Sequence, residues 1–71
     1  MINNKLIEST AAFKELDKVT QAIYGRKNMM DDVKREFQVA KTIGIDAYEN
    51  TYHPRPYKIK VIRELLLLTT N

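Results

Sequence analysis

The chain has 71 residues, with 12 basic and 9 acidic side chains, one histidine and no cysteine, giving a formal charge of +3. That length makes a single domain over residues 1–71 and leaves no room for a second. With no cysteine and His53 as the lone histidine, a disulfide framework and a structural zinc site are excluded, so packing and association remain as sources of stability.

In chain order, Leu6, Phe13, Leu16, Val19 or Thr20, and Ile23 recur at steps of three and four residues. This spacing predicts one helix from about residue 4 to 24, capped by Asn3 or Asn4 and ended by Gly25. At 1.5 Å per residue it spans roughly 30 Å, which calls for a partner helix of similar length.

Asn28, with Asp31 three residues later, has the form of an N-cap, and Asp31 and Asp32 suit the positive end of a helix dipole. A second helix is predicted to start there. Met30, Val33, Phe37 and Ala40 form its apolar stripe, with Asp32, Lys34, Arg35 and Lys41 off it. Gly44 ends it, and Ile45 is placed to make the accompanying hydrophobic contact. The short link Arg26-Lys27-Asn28 makes the two helices an antiparallel hairpin.

Asp46 to Glu49 repeats a capping pattern, predicting a short helix from Ala47 to about Tyr52 that Pro54 stops. His53-Pro54-Arg55-Pro56 is expected to be extended, because residues before proline are pushed out of the helical region. Beyond it, Tyr57, Ile59 and Val61 alternate with Lys58 and Lys60 as in a strand, whereas Ile59, Ile62, Leu65 and Leu66 share one helix face. Proline suits a first helical position, which favours a helix from Pro56 to about Thr69. The expected fold class is all-α: a small three-helix domain, made of a long helical hairpin plus a C-terminal helix, that self-associates.

Two surfaces follow from this arrangement. Four successive leucines point around most of a helix, so either Leu67 and Leu68 are partly exposed or a second surface covers them. Ile62, Leu65, Leu66, Leu67 and Leu68 are the candidate interface for another protein or a second copy of the chain; the simpler alternative is a terminal helix buried in its own hairpin. Thr51 to Arg63 carries Arg55, Lys58, Lys60 and Arg63 without an acid. Together with Tyr52 and Tyr57 these form a candidate nucleic-acid surface, bases neutralising phosphates while tyrosines stack. A solvated helix face with its tyrosines half in the core accounts for the same residues.

The stretch Phe37-Gln38-Val39-Ala40-Lys41-Thr42-Ile43-Gly44-Ile45-Asp46 resembles the first helix and turn of the helix-turn-helix family, with an alanine, a glycine and hydrophobic residues at matching offsets. The resemblance implies a DNA-reading element around residues 37–50. It covers about ten residues and departs in the second half, where Asn50 and His53 stand at positions the family keeps apolar and Pro54 stops the helix. An ordinary helix ended by a glycine explains the same letters.

Nothing in the sequence assembles catalysis. His53 beside Pro54 has no hydroxyl or carboxylate placed near it, and Gly25 and Gly44 are isolated helix terminators rather than a phosphate loop. No catalytic residue, metal, cofactor or small-molecule substrate is expected. The opening Met1-Ile-Asn-Asn-Lys lacks the features of a secretory signal, and the longest apolar run, Leu65 to Leu68, is far short of the roughly 20 residues of a membrane span. The expectation is a cytoplasmic protein without membrane contact. Its richness in lysine, asparagine, isoleucine and tyrosine fits an AT-rich bacterial, plasmid or phage genome. The expected function is that of a small non-enzymatic regulatory or accessory protein, encoded by a phage or mobile element, acting by protein–protein interaction. The alternative is nucleic-acid binding through residues 51–63 or the partial helix-turn-helix.

Overall fold

Asn3 opens the first helix, its side-chain Oδ1 accepting the N–H of Leu6 at 2.9 Å. The computed structural model describes residues 2–16 and 18–69, and every regular element among them is helical. The all-α class expected from the sequence therefore holds, but six helices replace the expected three. The reason lies in the N-terminal third. Helix α1 (Asn4–Ser9) ends at Thr10, whose backbone is extended at φ −69°, ψ 142°. The hydroxyls of Ser9 and Thr10 donate to the carbonyls of Leu6 and Ile7 at 2.6 and 2.8 Å, the local competition that makes such residues poor helix interiors.

Helix α2 (Ala11–Lys14) then starts afresh, and its exposed amides are met from outside and from Thr10. Glu64, 53 residues away in sequence from Ala11, accepts the N–H of Ala11 at 2.6 Å and that of Ala12 at 2.9 Å. The Thr10 hydroxyl accepts that of Phe13 at 3.2 Å. After α2 the chain turns again, with the side-chain amide of Gln21 donating to the carbonyl of Leu16 at 3.0 Å. Asp17, which the predicted helix includes, lies outside the described residues. Helix α3 (Lys18–Tyr24) completes the region.

These breaks overturn the predicted stripe. Phe13 is buried and Leu6 and Leu16 are half-buried, but Val19 and Ile23 are 68% and 72% exposed. Ile7, Thr10 and Ala12 take the inward positions instead. No single long helix forms, and hence no long hairpin.

Gly25, at φ 80°, is the whole link to α4 (Arg26–Ile43). The predicted link Arg26-Lys27-Asn28 is the first turn of that helix, and Asn28 is not its cap; its side-chain amide reaches back to the Tyr24 carbonyl at 3.4 Å. The stripe Met30, Val33, Phe37 and Ala40 is buried as predicted. Gly44, at φ 95° and ψ 148°, ends α4 by donating its N–H to the Ala40 carbonyl at 2.9 Å. Such backbone is essentially restricted to glycine. Helix α5 (Ile45–Tyr52) follows at once, two residues earlier than predicted, and ends at His53 in the left-handed conformation, φ 47°. Helix α6 (Pro56–Thr69) has the predicted bounds, so residues 57–62 are helix and not strand.

Helix α6 is the element around which the others gather, packing on α1, α2 and α4. Its buried face is Lys58, Val61, Ile62 and Leu65, turned about one position from the predicted Ile59, Ile62, Leu65 and Leu66, of which Ile59 and Leu66 are half-buried.

Glu64→Ala removes the acceptor for two helix-start amides and is expected to cost about 1–2 kcal/mol, lowering the melting temperature by roughly 5–15 °C for a domain of this size. Gly44→Ala, forced into a glycine-only conformation, is expected to cost about 1–3 kcal/mol. Thermal melts followed by circular dichroism test both; an unchanged melt for Glu64→Ala refutes the remote cap.

Candidate functional site

The most constrained polar cluster of the molecule joins three helices. Lys58 of α6 is 8% exposed, and its Nζ donates to Asp32 Oδ2 at 2.6 Å and to Glu36 Oε2 at 2.9 Å, both on α4. Tyr48 of α5, fully buried, donates its hydroxyl to Glu36 Oε1 at 2.6 Å. Arg35 also pairs with Asp32 from the solvent side. Burial by itself pushes the Lys58 ammonium's pKa down, but its hydrogen bonds to Asp32 and Glu36 and their negative charge outweigh that, so the net shift is upward. The Tyr48 phenol is also raised, first by burial and then by its hydrogen bond to Glu36. Neither group titrates near neutral pH, so the cluster is a permanent tie rather than a proton-transfer site.

Its position dissolves the expected basic face. Of the candidate nucleic-acid residues, Lys58 is inside the protein and neutralised, a correction that follows from its place on the buried stripe with Val61, Ile62 and Leu65. Arg63 pairs with Glu49 at 2.5 Å, and Tyr52 packs on Tyr48 with ring centroids 5.5 Å apart. Arg55 and Tyr57 meet Tyr24 at the opposite end of α6 from the leucines, and Lys60 is exposed along a groove beside α2. Four bases that are close in sequence therefore serve several separate places. The stretch resembling a helix-turn-helix is α4 and α5 joined by Gly44 alone, where that motif has a turn of three or four residues. Asp46 also stands in the first turn of α5, an acid where a helix start facing phosphate is served by neutral or basic groups.

The leucine-rich end of α6 divides in two. Ile62 and Leu65 are fully buried in the chain's own core and leave the candidate partner interface, because α1, α2 and α4 close over that side of the helix. Leu66 is half-buried, and Leu67 and Leu68 are 78% and 53% exposed. Leu67 stands between two grooves. One, of about 410 Å³, is lined by Ile45, Arg63, Leu66 and Leu67; the other, of about 400 Å³, runs past Ala11, Ala12 and Glu15 of the α2 region. Ile43, 45% exposed, adds apolar area at the end of α4.

Sequence reasoning missed Lys58, Glu36 and Tyr48 as a unit, and Glu64 as a cap. A signal for Lys58 was present: it occupies the i, i+3, i+4, i+7 series with Val61, Ile62 and Leu65. Nothing local marks Glu64, whose partners are 52 and 53 residues away.

The arrangement defines a small all-α domain with an apolar helix face left in water, and no helix among the described residues is long and apolar enough to cross a membrane. No protein-family model, curated protein or solved structure matches the chain.

Glu36→Ala leaves a buried ammonium and a buried phenol short of an acceptor, and Lys58→Met leaves the largely buried Glu36 carboxylate without its cation, so each is expected to destabilise by about 3–5 kcal/mol, whereas Lys58→Met combined with Glu36→Leu is expected to cost less than either alone. Because the folded pKa values of Lys58 and Tyr48 lie above their unfolded values, their contribution is complete below about pH 10 and is lost as pH rises through the folded values. Denaturant titrations at neutral and strongly alkaline pH test this; a Lys58→Met or Glu36→Ala protein as stable as the parent at neutral pH refutes it.

Proposed function

We propose that this is a small non-enzymatic regulatory or accessory protein that acts through protein–protein contact, and that the outer face of α6 binds a second copy of the chain. The observation that carries this reading is Leu67, a large apolar side chain 78% exposed at the crest between two grooves, one of them lined by Ile45 and Leu66. A contiguous apolar area of this kind usually marks an interface.

Charge selects the occupant. Lys60 and Glu15, both exposed, flank the groove on the α2 side and form no ion pair among the described residues, while Arg63 and Glu49 pair with each other on the other side. A two-fold contact presents the same patch twice, so charged groups at its rim meet opposite charges only where one patch carries both signs. A patch that carries both around an apolar crest suits a copy of itself better than a polyanion. Self-association also supplies the stability that so short a chain gains only sparingly from its own core.

Each leucine buried in such a contact contributes roughly 1.5–3 kcal/mol, so Leu67→Glu with Leu68→Glu is expected to raise the dimer dissociation constant by at least about a hundredfold while leaving the helical signal intact. Light scattering on the size-exclusion peak of both proteins tests the reading. A parent chain that stays monomeric at millimolar concentration overturns it.

A further inference from the structure

Away from the leucine face, a cleft of about 450 Å³ opens between the end of α3, the first turns of α4 and the segment entering α6. Met29 lies beneath it, 1% exposed yet outside the main core cluster, and the rings of Tyr24 and Tyr57 wall it with centroids 6.1 Å apart and planes inclined at 36°. Arg55 holds its guanidinium over the Tyr24 ring, 4.8 Å from the centroid. Beside these groups the lining carries Asn28, Asp31, Asp32 and Arg35, so aromatic rings and several polar groups converge on a cleft whose volume lies in the range of small-ligand sites.

The charges in the cleft are unevenly satisfied. Asp32 is taken by Lys58 and Arg35, and Asp31 by Lys27 at 3.0 Å. Arg55 forms no ion pair or hydrogen bond through its side chain among the described residues, so its planar fork of donors remains free while stacking on Tyr24 fixes its plane. A fork of that geometry takes two oxygens of a carboxylate or phosphate. Burial raises the pKa of Tyr57, which keeps its phenol neutral and able to donate.

We propose that this cleft binds a flat aromatic ring carrying one anionic group, the chemistry of a nucleotide, with Arg55 on the anion and Tyr24 and Tyr57 against the ring. Either a free mononucleotide or one nucleotide of a single strand supplies that chemistry. The site lies apart from Leu67 and does not depend on self-association.

Amide NMR titrations of the full chain with adenosine monophosphate, adenosine, inorganic phosphate and a short oligodeoxyadenylate provide the test. The monophosphate is expected to shift the signals of Met29, Arg55 and Tyr57 saturably, and adenosine or phosphate alone to bind at least about tenfold more weakly. Arg55→Gln, at an exposed position outside the core, is expected to weaken the monophosphate by about the same factor with the remaining spectrum unchanged. Arg55→Lys, which keeps the charge but loses the fork, is expected to restore little of it. An oligomer that binds more tightly than its number of equivalent units explains supports a strand as the source, and equal affinity per unit supports the free nucleotide. Absence of shifts with millimolar monophosphate and oligomer, or shifts that survive Arg55→Gln unchanged, overturns the proposal.

Discussion

An ammonium group carried out of water must be met by anions or not be carried there at all, and in this chain that requirement falls on Lys58. Removing the ion from solvent costs several kcal/mol, which its attraction to two carboxylates offsets without leaving much net gain. What the cluster supplies is therefore position. Asp32 and Glu36 are one turn apart on α4, Tyr48 comes from α5 and Lys58 from the first turns of α6, so one set of hydrogen bonds locks three helices in a single register. A slip of α6 by one residue breaks both ammonium contacts and buries the carboxylates against apolar side chains, a penalty that a purely hydrophobic seam does not impose.

The same helix ties down the N-terminal third by a different device. Glu64 meets the first amides of α2, and this lets the chain break at Thr10 without leaving those donors unsatisfied. The short pieces α1 and α2 then wrap α6 with Ile7, Thr10, Ala12 and Phe13, which a straight rod cannot present to one neighbour. Gly25 and Gly44 serve the same economy of chain, each joining two helices through one residue with positive φ. So small a domain reaches a closed core only by spending almost no residues on loops.

Closure on one side leaves surfaces on others. With Val61, Ile62 and Leu65 turned inward, the geometry of a helix drives Leu67 outward, and the apolar crest it forms is a direct consequence of the register that Lys58 imposes. At the tyrosine and arginine cleft, Arg55 lies between Pro54 and Pro56 in the segment that joins α5 to α6, and there its guanidinium stands over the Tyr24 ring.

The sequence by itself determined the all-α class, the bounds of α6, the buried stripe of α4 and the stop at Gly44. Each rests on local rules: periodicity, the fixed φ of proline and the freedom of glycine at positive φ. It also marked Leu67 and Leu68 as surplus to one core, because a helix cannot hide four consecutive residues on one side. Tertiary structure alone decided the rest. The N-terminal periodicity fitted one helix as well as three; the hydroxyls of Ser9 and Thr10 favour the first break, and the amides it opens are met by Glu64, more than 50 residues distant. The basic run from Arg55 to Arg63 looked like one face because sequence shows charge but not its partners. Whether a lysine meets phosphate or an internal carboxylate depends on which helix packs against it, and for Lys58 that helix was α4, with two acids one turn apart at the point of contact.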